Sequence, residues 1–410
     1  MRRPAGAPVV LAIGVGAAIT GGTGAGAAQG APIGVVDMRA IVMADGRVAV
    51  ALSPDGSRIA AVGPAVDALR RQVCVVETDT LDVVVCSDPG LPASGVDAAS
   101  IRWSPDGRRL AFTEDRVLTG QDGDAWVMDA ATGALLNLDD DGYAGPADPV
   151  LGYPSDLITL PMAPAFTPDG SGLTYGRQLA LDGAVRREEI VTVPVDGGPV
   201  RILVTVPPPP FARGASYFGG AWAPDGSWLY LSIGTDDLAP DEGIVVVAAD
   251  GSGIVPLVGT ADPSAGAPAV AAVASDGEHL LGFLHRLDAT YGGAADAWLL
   301  IDTETGLATS IAPEDQLLAL YTDVGLAGIS PDGRWLLTVS RGTEPDGQVA
   351  VRPVDGSGPE VVLLPEGVGP ARSVEPGLPV SWASDGTVLI PGDPSTGSAT
   401  LLHLEGGTLG

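Results

Sequence analysis

Residues able to do chemistry are few in this sequence, and they are scattered. Three histidines occur, His279, His285 and His403. The first two stand six positions apart, which one extended strand stretches to roughly 20 Å, too far to share a metal ion. His285 and His403 fall in apolar runs that read as strands, and His279 directly follows an Asp-Gly turn, so all three read as surface or packing residues. A serine nucleophile on a strand-to-helix elbow needs Gly-x-Ser-x-Gly. The nearest string, Gly214-Ala215-Ser216-Tyr217-Phe218-Gly219, has its second glycine one position late and lies where a strand is expected. The densest carboxylates are Asp139, Asp140, Asp141 and Asp148, a group that could hold a hard cation such as calcium. Their string departs from the Asp-x-Asp-x-Asp-Gly loop with its terminal Glu, so a solvated acidic loop is the plainer reading. No catalytic or cofactor-binding motif is marked, and the expectation is a protein that is not an enzyme.

The only cysteines, Cys74 and Cys86, are equidistant from Thr80 in an apolar stretch. A hairpin turning at Asp79-Thr80-Leu81 sets them opposite each other on two strands, the pair geometry a disulfide needs.

These residues must be positioned by an all-β scaffold. The 58 Gly and 36 Pro are spread between short apolar runs, which suits many tight turns. One unit recurs seven times: an apolar residue, two positions, Asp-Gly and an apolar strand. Its copies are Leu52-Ser-Pro-Asp55-Gly, Trp103-Ser-Pro-Asp106-Gly, Phe166-Thr-Pro-Asp169-Gly, Trp222-Ala-Pro-Asp225-Gly, Val273-Ala-Ser-Asp276-Gly, Ile329-Ser-Pro-Asp332-Gly and Trp382-Ala-Ser-Asp385-Gly. Where present, Pro presets the first central turn position, Asp binds its local backbone, and Gly takes the left-handed conformation that closes the hairpin. The seven aspartates are therefore assigned to holding turns. Trp103, Trp222 and Trp382 share a position that Leu, Val, Ile and Phe fill elsewhere, which assigns them to the core.

Successive copies lie 51 to 63 residues apart, and most intervals carry a second hairpin signal, such as Asp129-Ala-Ala-Thr-Gly133 and Asp302-Thr-Glu-Thr-Gly306. Four strands per period follow. Such sheets, apolar on both faces, bury themselves only against neighbours, and seven periods predict a closed seven-bladed β-propeller of four-stranded antiparallel blades. The last period ends short of an outer strand. A segment within Gly34 to Met43 is expected to supply it, closing the ring.

Met1-Arg2-Arg3, an apolar Gly-rich stretch and Ala25-Gly26-Ala27-Ala28 read as a secretory signal over residues 1–28, followed by one propeller over 33–410. Export to a secreted, periplasmic or cell-envelope location would supply the oxidant for the cysteines. The chain holds 51 acidic and 21 basic residues, a formal charge of −30, and its basic residues are all Arg. That balance excludes nucleic acid as a natural partner. No span follows the signal that would cross a membrane.

The Trp/Phe-Ser/Thr/Ala-Pro-Asp-Gly repeats resemble the TolB-like propeller family, bacterial relatives of WD repeats, from about residue 33 onward. The resemblance implies a periplasmic or envelope setting and a role in protein contacts. The expected function is an exported, non-catalytic binding platform for another extracytoplasmic protein or an envelope polymer. The alternative is a propeller enzyme of metal-assisted lactonase or lyase type that uses loop carboxylates.

Overall fold

The seven Asp-Gly turns each join the first two strands of a four-stranded antiparallel sheet. The computed structural model describes residues 11–12, 33–43, 46–64, 71–88, 96–114, 124–140, 158–181, 184–206, 216–234, 243–259, 267–274, 276–286, 294–310, 324–340, 348–355, 358–364, 380–392 and 398–405. Blade 1 comprises Val48–Leu52, Arg58–Pro64, Arg71–Glu77 and Val83–Cys86; blade 2 comprises Arg102–Trp103, Arg109–Thr113, Ala125–Asp129 and Leu135–Asn137. Blade 3 has Ile158–Phe166, Gly172–Leu181, Ala184–Pro194 and Arg201–Val206, and blade 4 has Ser216–Trp222, Trp228–Gly234, Gly243–Ala248 and Ile254–Gly259. Ala267–Val273, His279–Arg286, Ala294–Asp302 and Ala308–Ser310 form blade 5, while Val324–Ile329, Trp335–Ser340, Val349–Pro353 and Val361–Leu364 form blade 6.

Blade 7 takes three strands from the end of the sequence, Ser381–Trp382, Thr387–Pro391 and Ser398–Glu405, and its outer strand, Gly34–Val42, from the beginning. Met38 pairs with Leu402 and Ile41 with Ala399, so the ring closes as the sequence predicts. Leu11–Ala12, within the expected signal, adds a two-residue pairing outside that strand, at Ala40 and Arg39.

Local turn chemistry repeats around the ring. In all seven copies the aspartate Oδ1 accepts the backbone N–H two residues on, at Ser57, Arg108, Ser171, Ser227, Glu278, Arg334 and Thr387, over 2.8 to 3.1 Å. Where a hydroxyl stands two residues before the aspartate, as in Ser53, Ser104, Thr167 and Ser330, it donates to that carboxylate and accepts an N–H five residues on. These hydroxyl bonds come first in holding the Asp106 and Asp169 carboxyls below the usual range.

Apolar residues alternate along each strand, so both faces of a blade are buried, and the core lies between consecutive blades. Val62, Val75, Leu110, Phe112 and Met128 pack between blades 1 and 2; Ala111, Val127, Leu173 and Val191 pack between blades 2 and 3. Trp222 is buried and its indole N–H crosses to Thr174 Oγ1 of blade 3 at 3.2 Å; half-buried Trp103 donates to Ala51 O of blade 1 at 3.3 Å. Both rings pack and bridge blades.

Cys74 and Cys86 are directly paired on the third and fourth strands of blade 1, joined by a disulfide. No helix among the described residues is long and apolar enough to cross a membrane.

Candidate functional site

Antiparallel connectivity puts the repeat turns on one face of the ring and the less regular connections on the other. On that loop face, the ends of blades 2 and 3 carry charged groups where the strand pattern calls for apolar ones. Leu110 and Phe112 point toward blade 1, and two residues on, in the same direction, stands Glu114. Leu173 and Tyr175 point toward blade 2, and next in that series stands Arg177; opposite it, after Val193 and Val191, stands Glu189.

Glu114 is buried, and its Oε1 accepts the indole N–H of Trp126 at 2.8 Å. Burial raises its pKa from 4.5 to about 8; the indole bond acts the other way, and the nearby Asp124 adds to the rise. This carboxyl therefore exchanges its proton near neutral pH. Asp124 Oδ2 accepts from Asn137 Nδ2 at 2.8 Å, and Asn137 Oδ1 accepts the N–H of Asp139 at 3.0 Å.

Asp139, buried, links blade 2 to blade 3. Its Oδ1 accepts the Tyr175 hydroxyl at 3.1 Å and lies 3.4 Å from Arg177 Nη1. Arg177 also donates to Glu189 Oε2 through Nε at 3.1 Å and Nη2 at 2.9 Å. Glu189 is fully buried, so this fork compensates a charge that would otherwise be costly there. Burial, followed by the Asp139 charge, holds the Tyr175 phenol far above its ordinary range. Four carboxylates, one guanidinium, a phenol and an indole thus form one band on the loop face.

Of the acidic residues singled out in the sequence, Asp139 belongs to this band, Asp140 is exposed beside it, and Asp141 and Asp148 lie outside the described residues. His279 sits on the opposite, turn face, with Nδ1 3.1 Å from Asp276 Oδ2; His403 stands in blade 7, 3.5 Å from Thr387 Oγ1; His285 pairs in the second strand of blade 5. Asp276, Glu278 and His279 form the one described set of three with ligand atoms within 4.8 Å of each other, all on one exposed turn. Glu114, Arg177 and Glu189 escaped sequence reasoning, although a charged residue in a core-facing series was a readable mark.

This architecture defines the class, a seven-bladed β-propeller. No known protein-family profile matches the chain, and no curated protein sequence matches it. Among solved structures it is similar to an oligogalacturonate lyase in complex with manganese, with TM-score 0.60, 12% identity and 97% of each chain covered. It is also similar to an oligogalacturonate lyase from Vibrio parahaemolyticus, with TM-score 0.57 and 11% identity over 92% of this chain and 98% of that one. A third similar structure is the β-propeller domain of Cps50 (Swd1) from Myceliophthora thermophila, with TM-score 0.52 and 11% identity over 91% of this chain and 99% of that one.

These similarities correct the expectation that the chain is not an enzyme. Propellers of this blade count and length include lyases. Catalytic groups in a ring converge from blades some fifty residues apart in sequence, so a missing local motif carries no weight against catalysis. Manganese favours a donor set of oxygen and imidazole ligands. The described residues at blades 2 and 3 do not fit one, because the Arg177 guanidinium already takes the cation's place between Asp139 and Glu189.

Proposed function

We propose that the protein is an exported, TolB-like propeller enzyme that binds an extracytoplasmic polymer at its loop face and cleaves it by lyase-type acid–base chemistry at blades 2 and 3. The observation that carries this reading is the placement of Glu114, a carboxyl buried on the loop face against the Trp126 indole N–H at 2.8 Å, where burial raises its pKa to about 8. An elimination needs a base that takes a proton from carbon, so that the freed electron pair forms the double bond, and an acid that protonates the departing oxygen. Glu114 suits either role, and Arg177 with Tyr175 keeps the neighbouring carboxylates oriented. The similarity to lyases along nearly the whole chain supports the reaction class. A disulfide in blade 1 supports export, with residues 1–28 as the signal.

The test is an assay of the purified mature chain against a panel of neutral, cationic and anionic polysaccharides, following the unsaturated product by absorbance. Turnover of one of them, reduced about a hundredfold or more in Glu114→Gln with the fold intact, is expected. An unsaturated product formed equally by wild type and Glu114→Gln, or by neither, would overturn the assignment.

A further inference from the structure

The outer edge of blade 7 differs from those of the other six blades. Its strand, Gly34–Val42, runs nine residues, where the other outer strands run three to six. Sheet edges are kept from pairing with other chains by shortness, by proline or by charge. Here no proline interrupts the strand, and its only charges, Asp37 and Arg39, are of opposite sign. Val36, Ala40 and Val42 are exposed along it.

Independently, this edge is seen to take a further strand. Leu11–Ala12 pairs antiparallel with Ala40 and Arg39, and among the described residues nothing else pairs there. No other blade carries a fifth strand among the described residues.

We propose that this edge docks a second copy of the chain, the two Gly34–Val42 strands pairing antiparallel about a two-fold axis at Met38. In such a pair, residues equally distant from the axis on either side meet. An axis at Asp37 sets that carboxylate against its own copy, and an axis at Arg39 does the same with the guanidinium; like charges directly opposite destabilise a sheet. An axis at Met38 sets Asp37 of each copy opposite Arg39 of the other, twice. The Asp37 side chain is available for this, being 63% exposed and reaching Arg39 of its own chain only at 4.0 Å. Arg39 is held in place by the carbonyls of Asp79 at 2.9 Å and Thr78 at 3.0 Å, and it keeps further N–H groups for a carboxylate opposite. Exposed Val36 then meets exposed Ala40. The register shift between Val35 and Asp37 bends the strand there, so regular pairing spans Val36 to Ala40 in each copy and supersedes the two-residue pairing of Leu11–Ala12. Antiparallel pairing reverses strand direction, so the two copies turn their loop faces to opposite sides.

The experiment is sedimentation velocity on the full chain over a concentration series, independent of any activity at the loop face. Salt of about 0.15 M screens the repulsion between two chains of charge −30. Expected is a reversible monomer–dimer equilibrium, weakened at least about tenfold in Asp37→Arg and in Arg39→Asp, each measured alone. An equimolar mixture of the two variants should associate again, because it sets unlike charges opposite one another. Thermal melts check the fold of both variants, and Asp37→Arg, at the more exposed position, decides by itself if Arg39→Asp does not fold. Three results overturn the proposal: a wild-type chain that stays monomeric throughout, which leaves the edge to its own Leu11–Ala12; a dimer that Asp37→Arg leaves intact, which places the contact elsewhere; or a mixture of folded variants that associates no better than either alone.

Discussion

The backbone N–H of Ser384 donates to the carbonyl of Pro54 at 2.9 Å, across 330 positions of sequence, and the Ser384 hydroxyl adds a second contact at 3.1 Å. Five of the seven repeat turns have Pro at the position of Ser384 and no N–H to give there. At the seam, serine supplies the donor that stitches the last turn to the first. The same turn lays the Asp385 carboxylate against Gly56, as the turn at Asp276 does against Gly333, where Pro54, Pro105, Pro168 and Pro224 lay a proline ring against Gly107, Gly170, Gly226 and Gly277.

Gly56 and Gly107 therefore respond differently to alanine. Both have positive φ, +79° and +67°, and pay about 1 kcal/mol for a side chain there. A Cβ on Gly107 meets Pro54 at 3.9 Å, an ordinary contact, whereas one on Gly56 runs into the Asp385 carboxylate. Denaturant unfolding should show Gly56→Ala less stable than Gly107→Ala by at least about 1 kcal/mol.

Glu114 makes stability depend on pH. Its folded pKa of about 8 lies above the ordinary 4.5, so the folded state holds the proton more tightly. The contribution of Glu114 to stability is then largest below 4.5, falls as pH rises through that interval, and levels off above about 8. The total loss is roughly 3 kcal/mol after discounting for the part of the carboxyl that solvent reaches. Thermal melts of Glu114→Gln should match wild type in mild acid and exceed it in mild alkali.

Arg177 is the cation on which two buried carboxylates depend. Arg177→Met removes the fork from Glu189 and the charge from Asp139, and should cost about 3–5 kcal/mol in urea unfolding. The triple substitution Arg177→Met, Glu189→Gln, Asp139→Asn should recover much of that loss, because no uncompensated charge stays buried.

Reducing the Cys74–Cys86 bridge releases a loop with a sequence separation of 12. The protein should lose about 2–3 kcal/mol on reduction, and the Cys74→Ser, Cys86→Ser double variant should show no further response to reductant.

The turns and the ring were legible because their chemistry is local and repeated. An aspartate two residues before the N–H it accepts, or two cysteines symmetric about one hairpin, leave a mark inside a dozen residues. The closing strand was legible from a missing strand in the last period. The band at blades 2 and 3 left no such mark, since Asp139 and Arg177 meet across 38 positions and belong to different blades. Glu114 owes its displaced pKa to burial beside Trp126, which no spacing encodes. What the sequence did carry was a break in alternation, a charge following two core residues on the same side of a strand. Reading the absence of motifs as an absence of catalysis overlooked that a ring assembles sites from distant loops.

The pairing of Gly34–Val42 with Ser398–Glu405 also bears on how the molecule is made. The first regular strand of the ring can find its partner only once the strand Ser398–Glu405 is present, so blades can form in order while the ring itself shuts last. A chain cut short before Ser398 would present two unsatisfied strand edges at once, Gly34–Val42 and Thr387–Pro391, to proteases and to other chains. Ring closure thus requires the chain through the strand Ser398–Glu405.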